Sequence, residues 1–396
     1  MPRRLTRARI LALSGNPLPK QPSADGTILM AAALLTLIGL VMVYSASAVV
    51  AQNRFHDSLY FLKRQAAWLG FGFLLLHIAS RLDYLVWRKL TLPILGVTAI
   101  LLLVVLLPSL GVAAKGARRW FHIGAVSVQP AEMAKLATVL YLAMYVTRKE
   151  GRMAELVSGF LPPLVVVGLF GGLILMQPDL GTVLVLGTVT LGVLFLGGAR
   201  LKHLCGLIPI ALILLIVAIW KSPYRLQRLM SFLDPGKDPT GAAFQVNQSF
   251  LAFGSGKVFG VGLGEGKQKL FFLPEAHTDF VLALVGEELG LIGTALIIIL
   301  FSVLVFKGFQ IAGRAREPFG RYLALGITLL IGVQVLVNAG VATGLLPTKG
   351  LTLPLVSYGG SSLLMTLLSI GILLSISRDR QGGRKIGGYR IGGGMR

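Results

Sequence analysis

Apolar runs of roughly 17 to 25 residues, each long enough as a helix to cross a hydrocarbon core of about 30 Å, recur along most of this chain. No other feature limits the possible folds so strongly. Of its 396 residues 55% are hydrophobic and 14% charged, more apolar surface than a water-soluble core can hide. The alternation of a β-barrel is not visible, so the backbone hydrogen bonds must close within helices. The reading is an all-α membrane protein of about ten transmembrane helices, with spans at 27–50, 62–79, 91–107, 130–147, 157–176, 181–198, 204–220, 277–306, 321–345 and 357–376. Ten crossings put both termini on one side.

Basic residues set the orientation. With a cytoplasmic N-terminus, the inner segments hold 23 Lys and Arg, from Arg3 through Arg88, Arg148, Arg200 and Arg314 to Arg396, against seven in the short outer loops. That asymmetry satisfies the positive-inside rule. A basic N-terminal tail (1–26) and a Gly/Arg-rich tail (377–396) are then cytoplasmic, and 221–276 is a large extracytoplasmic loop between helices 7 and 8. Loops of that length are more often functional than idle. The run Thr27 to Val50 is too long for a signal peptide and is read as a retained first helix. A net charge of +22 would suit nucleic acid, but it is spread over short tracts between apolar runs, which topology explains. Cys205 is the only cysteine, which excludes a disulfide framework within the chain. The absence of a convincing internal repeat counts against transporters built from duplicated halves.

Ionisable groups inside spans are costly, so each is a functional candidate. Glu132 and Lys135, three apart, can pair on one helix face, and an internal ion pair is as good a reading as a functional one. Asp279, Ala283, Gly286, Glu287 and Gly290 fall near one stripe of the eighth span. A Gly/Ala packing seam with its carboxylates satisfied by neighbours is by itself the somewhat better reading of that stripe. Convergence favours function: Lys115–Gln129 with Arg118, Arg119 and Trp120, Gln177–Thr182 with Asp179, Pro274–Phe280, and Leu346–Ser362 all collect on the outer face. Cations, carboxylates and Gly-rich backbone gathered there suit an anionic lipid headgroup. The glycine-rich stretch 254–266 lacks the phosphate-loop pattern, and the five scattered histidines offer no metal-ligand spacing.

The stretches PEAHTDFVLALVGEELGLIG (Pro274 to Gly293) and LLPTKGLTLPLVSYGGSS (Leu345 to Ser362) resemble the signature segments of the SEDS family, whose members include FtsW, RodA and a sporulation relative. RRWF (Arg118 to Phe121) and QPDLGT (Gln177 to Thr182) resemble two further family segments, in the expected order. The TKGLTLPLVSYGG form around Lys349 resembles the division branch, as does the extended basic N-terminal tail. The resemblance implies ten helices and polymerisation of lipid II, the undecaprenyl-pyrophosphate-linked disaccharide peptide, into glycan strands by an inverting glycosyltransferase. It matches the family's essential aspartate to Asp279, and Lys349, Trp120 and Glu275 to other important positions.

Physically, such a reaction needs one base and some cations, because a pyrophosphate leaves readily once its charge is balanced. Asp279 is assigned as general base on the acceptor 4-hydroxyl, and Lys349 with Arg118 or Arg119 as phosphate holders. Trp120 would stack on a sugar or anchor the interface. His277 would neighbour Asp279, and Asp179, Ser357 and Ser361 complete the candidate substrate-binding set. Asp279 with Glu275 could bind Mg²⁺ or Mn²⁺, an open question, since two outer carboxylates prove nothing. Implied partners are lipid II, a class B penicillin-binding protein of the FtsI transpeptidase type and other divisome membrane proteins, at the septum of a bacterial inner membrane. The rival readings are a lipid II flippase, which predicts polar residues spread through the membrane depth, and a non-catalytic scaffold that recruits a transpeptidase.

Overall fold

The computed structural model describes residues 25–108, 110–114, 117–123, 126–234, 242–269, 273 and 277–379. Both tails proposed from the sequence, up to residue 24 and from 380, lie outside the described residues, as does Glu275.

Helices α1 (Gly26–Phe55), α2 (Tyr60–Arg81) and α3 (Leu85–Val104) precede a three-stranded antiparallel sheet, β1 (Val112–Ala114), β2 (Ala117–Ile123) and β3 (Val126–Val128). Then come α4 (Pro130–Arg148), α5 (Leu161–Leu175) entered through a π turn, α6 (Leu180–Leu196) and α7 (Leu201–Trp220). Two shorter helices follow, α8 (Pro223–Leu233) and α9 (Ala242–Gly256), and then α10 (Val281–Glu288), α11 (Gly290–Arg314), α12 (Pro318–Ala342) and α13 (Gly360–Asp379). Helix therefore covers most of every span drawn from the sequence. Among the described residues seven segments are long and apolar enough to cross a membrane by length and composition, namely α1, α3, α5 with its π turn, α7, α11, α12 and α13. Helix α6 is apolar but shorter.

Burial inside the bundle explains why α4 carries polar residues. Helix α4 sits at the centre, buried on nearly all sides, with α3, α6 and α12 packed against it. Its Lys135 ammonium bonds Glu132 at 2.8 Å and the Gln334 amide oxygen of α12 at 2.6 Å, so this pair is a satisfied internal contact. Helix α7 is the opposite case. It has no buried residue, and its Leu and Ile side chains suit lipid contact around most of its surface.

Two irregular segments enter the bundle. Between α12 and α13 the chain is non-helical, yet Leu351, Leu353, Leu355 and Val356 are buried. A Cβ placed on Gly39, midway along α1, would lie 2.7 Å from the carbonyl oxygen of Leu355 and the Cα of Val356, so only glycine lets this re-entrant backbone rest there. Leu355 itself holds a left-handed φ of 66°, which costs on the order of 1–3 kcal/mol and persists only when packing fixes it. The second segment is the glycine-rich run. The eighth span breaks at Leu289 and Gly290, and the loop after α9 patches the break: Val261 and Gly262 donate to the carbonyls of Glu287 and Glu288, and Leu291 and Ile292 donate to those of Lys257 and Val258. Irregular backbone beside a spanning helix must find partners inside the protein, and here the glycine-rich loop supplies them.

Polar contacts also sort the helix ends. Asp25, the N-cap of α1, lies 3.7 Å from Lys307 of α11 and donates its backbone N–H to Ser377 near the end of α13. The start of α1 and the ends of α11 and α13 share one side, and the described residues of the segments singled out above gather at the other, beside the end of α12 and the start of α13.

Candidate active site

Asp279 closes the turn that leads into α10, and it is half-buried. The amide of Asn338, near the end of α12 and only 2% exposed, donates to the Asp279 carbonyl at 3.0 Å and to the Leu351 carbonyl at 2.8 Å. One side chain thus ties the aspartate's backbone to the re-entrant segment that carries Lys349. A Cβ on Gly350 would meet Oδ2 of Asp279 at 3.5 Å, so the carboxylate lies beside the residue that follows Lys349. Burial pushes the Lys349 ammonium below the ordinary lysine range.

Next to this segment lies a cluster of cations. Arg119 on β2 donates to the carbonyls of Gln177 and Pro178 at 2.6 and 2.7 Å. Asp179 caps α6, accepting from the amide and hydroxyl of Thr182 at 3.0 and 2.9 Å. A side chain on Gly181 would touch Leu351, which puts the head of α6 against the same re-entrant backbone. Helix α8 adds two arginines one turn apart: Arg228 donates to the Thr348 carbonyl at 2.9 Å, and Arg225 to those of Ala218 and Leu175 at 2.9 and 3.3 Å. Burial first, and then the nearby Arg119 cation, lower the pKa of Arg225, with Asp179 opposing them. Two guanidiniums crowded together and partly dehydrated are stabilised by an incoming anion.

The other sequence candidates have definite places. In a strand neighbours point to opposite faces, so Arg118 and Trp120 lie across β2 from Arg119, with Arg118 exposed and Trp120 half-buried. The His277 ring sits 5.1 Å from Phe61 and 5.8 Å from Tyr358, and its carbonyl accepts the Tyr358 N–H. Ser357 and Ser361 spend their hydroxyls internally. Ser357 accepts from the Leu353 N–H, while Ser361 accepts from Gln129 and donates to the Ser127 carbonyl, fastening β3 to α13. Glu287 accepts from the backbone N–H groups of Lys267 and Gln268, and Gly286 packs on Phe253, so these two positions of the stripe form a packing seam with a satisfied carboxylate. Among the described residues no group of three or more His, Cys, Asp or Glu could hold a metal ion.

The family model described as cell cycle protein, FtsW/RodA/SpoVE, matches residues 26–382, which takes in every element of this site. The chain belongs to the FtsW/RodA/SpoVE family. It is 48% identical over 358 residues to the probable peptidoglycan glycosyltransferase FtsW of Geobacter metallireducens, covering 90% of this chain and 96% of that one. It is 43% identical over 363 residues to stage V sporulation protein E of Bacillus subtilis, covering 91% and 97%. A solved structure titled for structural coordination of polymerization and crosslinking by a peptidoglycan synthase complex superposes with a TM-score of 0.75 at 33% identity, over 90% of this chain and 98% of that one. The rod shape determining protein RodA of Thermus thermophilus gives 0.67 at 30% identity, over 91% and 99%. As a member of this family, with seven helices among its described residues long and apolar enough to cross a membrane, the protein is a multi-pass membrane protein.

Sequence reasoning missed Asn338, Arg225 and Arg228. The cost of polar groups inside spans, which singled out Glu132 and Lys135, applies equally to the amides Gln334 and Asn338. The arginines had a fainter signal, a short amphipathic stretch after the seventh span with basic residues three apart.

Proposed function

We propose that this protein is a peptidoglycan glycosyltransferase of the division type that polymerises lipid II, with Asp279 as general base. The observation that carries the reading is the convergence of one carboxylate and four cations at one end of the bundle, with Asn338 joining the backbone of Asp279 to that of Leu351 in the segment that carries Lys349. Asp279 takes the proton from the acceptor sugar's 4-hydroxyl as its oxygen bonds to the donor's anomeric carbon. The bond from that carbon to the pyrophosphate oxygen breaks on the opposite face, which inverts the configuration. Lys349, Arg119, Arg225 and Arg228 balance the charge on the departing pyrophosphate. No second carboxylate is required, since that leaving group needs counter-charge and no proton.

A single-span transpeptidase of the penicillin-binding class is the expected partner; the superposing structure titled as a peptidoglycan synthase complex supports that expectation. Ten crossings with both termini in the cytoplasm, and a place at the division septum, complete the proposal. The shared side of Asp25, Lys307 and Ser377 supports the topology. Reconstitution tests the activity against lipid transport. Vesicles holding the protein, a transpeptidase partner and fluorescent lipid II should yield glycan polymer; movement of labelled lipid across the bilayer without polymer would overturn the reading.

A further inference from the structure

A second buried polar cluster lies at the far end of α10, outside the site just described. Glu288, only 1% exposed, accepts from Ser45 of α1 at 2.6 and 2.7 Å, from the Lys269 ammonium at 2.8 Å and from the Gly264 N–H at 3.1 Å. Lys269 is buried too, and its remaining bonds go to the Ser45 hydroxyl at 3.0 Å and the Gly264 carbonyl at 2.6 Å. Every partner of this ammonium is thus supplied by the protein, on three different chain segments. An ion pair with that much internal hydrogen bonding fixes geometry more than it adds stability, because apolar residues of equal volume could fill the same space.

Its neighbours lead straight to the site. Glu287, beside Glu288, holds the N–H groups of Lys267 and Gln268, and the Gln268 carbonyl accepts from Leu273 at 2.8 Å. Leu273 is buried in one cluster with Ala252, Phe280, Ala283 and Val341, and Phe280 follows Asp279 directly. Helix α10 is eight residues long, with Glu288 at its end and Asp279 two residues before its start, so a shift of the helix is passed to the turn that carries Asp279. Helix α1 is the common rail: it offers Ser45 to Glu288 and, less than two turns away, Gly39 to the re-entrant segment that bears Lys349.

We propose that Ser45, Lys269 and Glu288 form a latch that sets the distance between the Asp279 carboxylate and the Lys349 segment by clamping α10 to α1. These are positioning residues that touch no substrate. The inference rests on the reading of Asp279 as the base. A loosened latch lets α10 slide or tilt on α1, and displacements of about 1 Å at reacting groups cost on the order of 100-fold in rate.

The test uses the full chain with its partner transpeptidase in lipid nanodiscs, and three variants. Ser45→Ala removes one latch bond with little change of volume, Lys269→Met leaves Glu288 without its cation, and Lys269→Arg restores a cation. Turnover of lipid II should fall about 5-fold in Ser45→Ala and about 100-fold in Lys269→Met, with KM within about 2-fold of wild type, and Lys269→Arg should recover most of the loss. Amide hydrogen exchange across 277–288 should quicken in the same order. Unchanged turnover in Ser45→Ala, or slowed turnover with unchanged exchange across 277–288, overturns the latch. If Lys269→Met does not fold, Ser45→Ala and Lys269→Arg still decide. Failure of the base assignment shows separately, as polymer made by Asp279→Asn, while the exchange measurement continues to judge the latch.

Discussion

Asn338 offers a sharp test of how the site is held together. Its amide nitrogen faces two carbonyl oxygens, those of Asp279 and Leu351, and it is nearly inaccessible. Asn338→Ala deletes both bonds. Each carbonyl left without a donor costs about 1–3 kcal/mol if no water reaches it, so a loss of roughly 2–6 kcal/mol is expected for the two. Asn338→Asp keeps the size and shape but turns an acceptor oxygen toward both carbonyls, and a buried carboxylate there lacks the donors it needs. The order of stability should therefore be wild type, then Ala, then Asp, read as thermal unfolding in detergent. Polymerisation of lipid II should follow the same order, falling about 100-fold or more in Asn338→Asp because Asp279, the proposed base, and the Lys349 segment lose their common tie. If Asn338 only filled space, the nearly isosteric Asp would outperform Ala. That reversed order would refute the reasoning.

Burial lowers the Lys349 pKa, so its charge, and with it kcat/KM, should be lost as pH rises through a value below about 10.4, the ordinary lysine figure. Lys349→Arg should move that alkaline limb upward, and an unmoved limb would remove Lys349 from the phosphate site. Between the lowered folded pKa and the ordinary unfolded one the unfolded chain binds more protons at this residue, so its contribution to stability rises with pH while activity falls. Arg225→Gln should raise KM for lipid II about 10-fold or more through loss of a charge-assisted contact, and should weaken the salt dependence of binding; a change confined to kcat would contradict that role. Gly39→Ala drives a methyl group into the backbone at Leu355 and Val356, so the melting point should drop by an amount equivalent to about 1–3 kcal/mol and turnover should fall with it.

The architecture was largely legible because lipid imposes a length on every apolar run, and each span drawn from hydropathy contains a helix. What hydropathy could not reveal were the two places where backbone leaves the helical pattern inside the bundle. The break at Gly290 and the re-entrant path of Leu353 to Val356 depend on backbone hydrogen bonds and a glycine contact between segments far apart in sequence. The segment carrying Arg118, Arg119 and Trp120 forms a small sheet, and its alternation decides which arginine reaches the Gln177 and Pro178 carbonyls, a choice that composition left open. The carboxylates after Gly286 illustrate the limit from the other side. A polar stripe on a helix looks the same whether it serves chemistry or a glycine-rich loop, and only the N–H groups of Lys267, Gln268 and Gly264 tell the two apart.

The most direct trial of the central claim compares the wild-type enzyme with Asp279→Asn in one polymerisation assay, using purified protein, a transpeptidase partner and radiolabelled lipid II. Long glycan products are expected from the wild type and essentially none from the variant, with equal lipid II binding by both. Glycan of the same length and yield from the two proteins would contradict the assignment of Asp279 as the base.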